Sequence, residues 1–439
     1  MKIAFISLGC AKNLVNSEQM MALCVQGGHT LADSPDGADV AVVNTCGFID
    51  SAKSEAIDQI LALANLKEEG RLGKILVAGC LTQWYQEEML TELPEIDGLL
   101  GTGSYTDILE ALDAMAAGDV PTYFGDIHHT VEDGPRQVTT PLYSAYLKIA
   151  EGCDNRCAYC VIPSLRGQYR SRSLESLVAE AQSLAEQGTQ ELIVVAQDIT
   201  RYGLDLTGKR MLPQLLTELC KLPFRWIRLH YLYPDEFTDE LIEVIAREPK
   251  ILKYLDIPIQ HANDKLLAAM NRRGTKAEIM ALFETLREKI PGLVIRTSLI
   301  TGLPGEGEAE FEELCDFLRW AKLERAGIFP FSPQEGTPAY DMPDQVPEEE
   351  AARRAELLVE LQSRIMDEYN EGRLGGVLEV LCEGFDAQAG CYVGRSYADS
   401  PDVDGHVYFT AAGKVPAGTF VQVRITGVTD GDLSGEMED

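Results

Sequence analysis

Three cysteines stand in a CxxxCxxC array within residues 152–160, GCDNRCAYC, at Cys153, Cys157 and Cys160. Three thiolates on one short loop can hold three irons of a 4Fe–4S cluster and leave the fourth iron open to a substrate or cofactor. A structural zinc site needs a fourth ligand close by. The next cysteine is Cys220, and no histidine lies near in sequence. A second set is Cys10, Cys46 and Cys80, each directly after an apolar run: ISLGC, VVNTC and VAGC. If those runs are neighbouring parallel strands, the three thiols share one sheet edge and can hold a second cluster. The bland alternative is three buried structural cysteines, a common fate of free thiols. Cys24, Cys220, Cys315, Cys382 and Cys391 show no comparable placement and read as core or incidental residues.

The elements that must position these thiols fall into three series. Strand-like runs at 2–9, 38–45 and 74–79 alternate with helical runs at 17–26, at 51–69 and from 83 onward. That alternation predicts a parallel sheet with right-handed crossovers. Six further strand-like runs follow, at 146–152, 191–197, 226–233, 254–260, 294–301 and 325–332. Helical patterns separate them, for example at 175–187, 238–247, 276–289 and 308–322. Six units are too few for a closed eight-stranded barrel and suit an open, partial (βα)6 one, with functional groups at the C-terminal strand ends. A charged helical run at 348–370 closes that series. From 375 onward, short β runs with glycine turns predict a small β-barrel of about five strands. The chain is thus α/β, divided into an N-terminal α/β domain at 1–115 and a linker at 116–140 that carries His128 and His129. A partial barrel at 141–371 and a small β-barrel at 372–439 complete it.

Composition narrows the class. The 439 residues are 45% apolar and 25% charged, a globular balance with room for several cores. No run approaches the ~20 apolar residues of a membrane helix, and MKIAFISLGC reads as a strand rather than a signal peptide. Eleven cysteines without a secretion signal predict a reducing, cytoplasmic setting. With 38 basic and 70 acidic side chains the net charge is −32, which disfavours general nucleic-acid binding and attracts a basic partner. Acidic charge also serves solubility alone. Nothing in the sequence argues for more than a monomer.

The CxxxCxxC array, with Tyr159 before its last cysteine, resembles the signature of radical S-adenosylmethionine enzymes. Together with the three-cysteine N-terminal domain and the terminal barrel, the whole chain resembles the methylthiotransferases of that superfamily. The resemblance implies a cluster on Cys153, Cys157 and Cys160 that chelates and reductively cleaves S-adenosylmethionine to a 5′-deoxyadenosyl radical. It implies a second cluster on Cys10, Cys46 and Cys80, sulfide as the sulfur source, and a second S-adenosylmethionine as methyl donor. No side chain is implied as catalytic, because the cofactor supplies the radical. CVIPSLRG (160–167), YRSR (169–172), QDITRYG (197–203), DIPIQH (256–261) and TGLPGEG (301–307) fit the family's strand ends, with Gly307 where the family usually has Thr. The expected cofactor contacts are Tyr159, Gln197, Asp198, Gly302 and Pro304. GLPGEG lacks the Lys-Ser/Thr of a phosphate loop. His261 reads as a structural hydrogen-bonding group. For Arg166, Arg170 and Arg172, carboxylate binding and surface ion pairing stay open.

In this family the terminal barrel, a TRAM domain, implies the target. One branch modifies adenosine in tRNA; the RimO-type branch modifies the β-carbon of an aspartate in small-subunit ribosomal protein twelve. Residues 372–439 hold 4 basic and 11 acidic side chains, a poor grip for phosphates and a good one for a basic protein. RSYADSPDVDG (395–405) also resembles the RimO branch. The expected partner is therefore the basic ribosomal protein or the small subunit, with the electron donor unassigned. A tRNA methylthiotransferase is the alternative reading, and a non-catalytic two-cluster electron carrier is the alternative of another class.

Overall fold

The computed structural model describes residues 1–129 and 133–438. Residues 130–132, in the stretch read as a linker, and Asp439, at the end of the terminal barrel segment, lie outside the described residues. The N-terminal sheet contains β1 (Lys2–Ser7), β2 (Thr30–Ala32), β3 (Val40–Thr45), β4 (Lys74–Gly79), β5 (Gly98–Leu100) and β6 (Thr122–Tyr123). All are parallel, in the order β2-β1-β3-β4-β5-β6. Every residue of β3, VAVVNT, is buried, as a strand covered on both faces must be. Helices Ala11–Gln26 and Asp50–Glu68 contribute to separate cores, one around Met20 and Leu112, the other around Ile60 and Leu63. The sequence pattern predicts three of the six strands. The other three are two or three residues long, too short to show a period, and β6 comes from the stretch read as a linker.

Six strands form the second sheet: β7 (Ser144–Lys148), β10 (Glu191–Val195), β11 (Trp226–Leu229), β12 (Ile251–Asp256), β13 (Val294–Thr301) and β14 (Arg325–Pro330). They are parallel and stand in chain order, an open (βα)6 array. Between them β8 (Ala150–Glu151) and β9 (Arg170–Ser171) make a short antiparallel pair that brackets the CxxxCxxC loop. Predicted runs overshoot β7, β10, β11 and β12 at their C-terminal ends. Residues there, such as Ala196, Leu232 and Ile257, stay apolar and fully buried after the chain has left the ladder. Those extensions belong to the main apolar core of this domain.

The last 65 or so residues (372–438) close a five-stranded barrel from β15 (Val377–Asp386), β16 (Cys391–Ser396), β17 (Val407–Thr410), β18 (Phe420–Thr429) and β19 (Asp432–Met437). It docks on the parallel sheet through buried ion pairs. Glu191 of β10 accepts from Arg228 Nε and Arg395 Nη2, each at 2.7 Å, and Asp399 pairs with Arg325 at 2.7 Å. Tyr254 donates to Asp404 at 2.6 Å, and Trp226 meets Phe420 edge-on. Among the described residues, no helix is long and apolar enough to cross a membrane.

Candidate active site

Cys10, Cys46 and Cys80 follow β1, β3 and β4, which are adjacent in the sheet, so all three stand at one edge. Their loops touch. A Cβ on Gly9, whose φ is +85°, would lie 2.6 Å from Cys46 Cβ, so only glycine lets these turns approach. Burial pushes the Cys46 thiol up to about 11 and raises that of Cys80. Cys10 is buried too, but Lys12 and Arg166 outweigh that and hold its thiol below the usual value. The result is a soft donor set of three thiols beside two cations, which fits iron–sulfur ligation. Among the described residues no three His, Cys, Asp or Glu side chains crowd one point as ligands of a single ion do. Cluster thiols bind different irons and need not converge so closely.

Cys153, Cys157 and Cys160 lie on the loop between β8 and the helix Ile162–Arg166. Gly152, at φ +81°, opens the loop against Gln168, whose carbonyl oxygen a Cβ would meet at 2.1 Å. The loop is pinned along its length. Cys153 N–H donates to Gly167 O (3.1 Å), Asn155 Nδ2 to Asp198 (2.9 Å), and Ala158 N–H to Met270 O (2.9 Å). Arg272 reaches Cys157 Sγ at 3.7 Å while stacking on Tyr233, whose hydroxyl is 3.9 Å from the same sulfur. Burial pushes Cys153 up to about 12 and raises Cys160 further.

Arg166, at the end of the short helix after that loop, joins the two sets. Its Nη1 donates to Asn16 Oδ1 (2.9 Å) and Glu151 (3.1 Å); its Nη2 donates to Asn13 Oδ1 and to Cys80 Sγ (3.4 Å). Glu151 also pairs with Lys148 at 2.8 Å and accepts from Gln197 Nε2 at 2.7 Å. Although its burial opposes ionisation, Arg166 and Lys148 hold Glu151 far below the usual carboxylate range. Cys80, Val161 and Leu165 share one apolar cluster with Phe48 and Trp84, so the two cysteine loops pack on each other.

The expected cofactor residues fall into two groups. Tyr159 packs with Ala158, Met270 and Leu303, which brings the 301–307 loop onto the CxxxCxxC loop. Gln197 Oε1 is buried without a partner among the described residues, while its Nε2 donates to Glu151. Asp198 is fully engaged by Asn155 and Thr200 and braces the loop. Gly302 N–H donates to Glu306, which Arg354 also holds at 2.9 Å, and the adjoining Pro304 is buried. His261 Nδ1 accepts from the N–H groups of Ala262 and Asn263, so its Nε2 carries the proton, 3.3 Å from Glu306. Arg166 and Arg172 are buried, not surface groups, and Arg172 pairs with Glu180 and Asp133. Arg170 donates to the carbonyls of Arg166 and Gln168. Lys12, Asn13, Tyr233 and Arg272 escaped the sequence reading. AKN after Cys10 and RR at 272–273 were the only signals, and both read as ordinary polar positions.

Comparison with known proteins bears directly on this arrangement. The Radical SAM superfamily model matches residues 147–318, that of Uncharacterized protein family UPF0004 matches 2–101, and that of the TRAM domain matches 374–437. The ribosomal protein uS12 methylthiotransferase RimO of Pelotomaculum thermopropionicum is 49% identical across 99% of this chain and 99% of its own. The chain belongs to the RimO family. RimO proteins of Desulforamulus reducens and Lachnoclostridium phytofermentans are each 46% identical, covering 99% and 100% of this chain and of their own. The radical SAM methyltransferase TsrM from Kitasatospora setae, solved with cobalamin and a 4Fe–4S cluster, superposes at a TM-score of 0.59. It shares 15% identity over 77% of each chain and supports the fold alone. Membership makes the chain a radical SAM transferase, with a 4Fe–4S cluster and S-adenosylmethionine as the superfamily's cofactors.

Proposed function

We propose that the protein is a methylthiotransferase that places a methylthio group on the β-carbon of an aspartate in ribosomal protein uS12. The observation that carries this reading is the contact of Arg166 with Cys80, which ties two three-thiol sets on separate sheets into one site. Cys153, Cys157 and Cys160 would hold one 4Fe–4S cluster and Cys10, Cys46 and Cys80 a second. When bound, the first cluster with S-adenosylmethionine would supply the hydrogen-abstracting radical, and the second would supply the sulfur, with sulfide as its source.

The chain's own residues have positioning work. Asp198, through Asn155, fixes the CxxxCxxC loop, and Arg272 and Tyr233 fix Cys157 from the opposite side. Gln197 offers its free Oε1 to a polar group of the cofactor, with Glu151 holding the amide nitrogen. Tyr159, Leu303 and Met270 form an apolar wall that keeps water from a reactive radical. Recognition falls to the barrel. Arg395 is buried against Glu191 and Arg424 pairs with Glu438, so carboxylates dominate its outer face. That face suits a basic ribosomal protein met in the cytoplasm, and it repels tRNA.

Paired variants test the two-site reading. Cys157→Ala is expected to abolish 5′-deoxyadenosine formation. Cys46→Ala is expected to keep that cleavage and lose methylthio product. Normal product from Cys46→Ala contradicts the second cluster.

A further inference from the structure

Lys12 is buried where a cation needs a reason to be. It is the second residue of the helix Ala11–Gln26, two positions after Cys10, and is 9% exposed. Its Nζ lies 3.8 Å above the centre of the Tyr231 ring. Lys148, Arg136, Arg166 and Arg172, whose side chains are likewise buried, each pair with a carboxylate. Lys12 does not: among the described residues no carboxylate oxygen lies within 4.0 Å of its Nζ. Its charged neighbour on its own side is the Cys10 thiol, and Tyr231 lies on the other; burying an ammonium with no carboxylate to pair it costs free energy.

Position sharpens the point. Tyr231 follows the C-terminal end of β11 with φ +66°, a left-handed conformation that only a held loop keeps in a tyrosine. Two residues on, Tyr233 reaches Cys157. The ammonium therefore reaches from the Cys10 side onto the C-terminal end of β11 in the partial barrel. A group entering there meets a positive charge that no carboxylate of the described residues pairs with.

We infer that Lys12 receives the side-chain carboxylate of the substrate aspartate, a role that rests on the function proposed above. That carboxylate is attached directly to the carbon that loses hydrogen. Anchoring it at Lys12 fixes the reacting carbon relative to both cysteine sets, which is where orientation matters most. It also gives specificity, because a neutral amide of the same shape leaves the lysine charge buried and unmatched.

The test pairs enzyme and substrate changes. Cluster-loaded wild type, Lys12→Gln and Lys12→Arg are each given purified uS12 carrying either its target Asp or Asn at that position. Binding is measured by titration of fluorescently labelled uS12, and turnover by mass spectrometry. Wild type is expected to favour the Asp form by at least about tenfold in kcat/KM. Lys12→Gln is expected to treat the two forms within about twofold, and Lys12→Arg to recover most of the preference. Equal losses on both forms in Lys12→Gln overturn the proposal, and assign Lys12 to the cysteine site alone. Wild type binding and turning over both forms equally also overturns it, without any variant. Wild type that leaves uS12 unmodified overturns the function itself and this role with it; modified uS12 with discrimination kept in Lys12→Gln overturns only the role.

Discussion

Arg166 donates from Nη2 to Sγ of Cys80 at 3.4 Å, so a side chain just past one cysteine loop hydrogen-bonds a thiol of the other. The residue is 3% exposed, and its Nη groups also donate to Asn13, Asn16 and Glu151. One cation thus fixes the relative placement of two domains and sets the field at a cysteine sulfur.

Arg166→Gln is expected to shift the reduction potential of the N-terminal cluster downward, because hydrogen bonds and positive charge near its sulfurs favour the reduced state. The CxxxCxxC cluster is expected to shift less. Potentiometric titration followed by electron paramagnetic resonance reads both. The same variant leaves Lys148 as the one cation on the Glu151 carboxylate, beside the Gln197 amide, and is expected to lower stability by about 3 kcal/mol.

Glu191 predicts a pH dependence at the barrel interface. Burial opposes its ionisation, but Arg395 and Arg228 prevail and bring it down to about 2 from its ordinary 4.5. A carboxylate depressed in the folded state contributes stability above its unfolded value and loses it as pH falls through the folded one. The gap in melting temperature between wild type and Glu191→Gln is therefore expected to be full above pH 4.5 and to shrink steadily toward pH 2. A gap unchanged across that window contradicts the assigned ion pairs.

Gly152→Ala tests the loop geometry. At φ +81° and with a Cβ 2.1 Å from the Gln168 carbonyl, the substitution forces the CxxxCxxC loop to move. Iron content is expected to fall to about half and 5′-deoxyadenosine formation by at least tenfold, from strain of about 2 kcal/mol or more. Far-UV circular dichroism is expected to stay unchanged, because the parallel sheets do not depend on that loop.

Much of this site was legible in the sequence because it sits at strand ends. Cys10, Cys46 and Cys80 each close an apolar run, and parallel pairing of successive strands converts that pattern into proximity. The methylthiotransferase resemblance rested on these cysteines with the CxxxCxxC array, the RimO-type reading on the acidic barrel and RSYADSPDVDG (395–405), and the match to RimO relatives across the chain agrees with it. Other features had no local signature. Strands Gly98–Leu100 and Thr122–Tyr123 are too short for a period, and Asp432–Met437 is interrupted by Gly435. Arg166 meets Asn13 and Cys80 across 153 and 86 positions of chain, contacts that docking of two domains creates. Asp198 was expected among the cofactor contacts from the resemblance of QDITRYG, and the structure engages its carboxylate with Asn155 and Thr200.

The central claim meets its most direct test in an anaerobic assay with reconstituted protein, S-adenosylmethionine, sulfide and reductant. Small ribosomal subunits and bulk tRNA are offered separately, and the products are read by mass spectrometry. The expected result is one added methylthio group on a uS12 aspartate and none on tRNA. A methylthio group on tRNA adenosine, with uS12 unmodified, would contradict it.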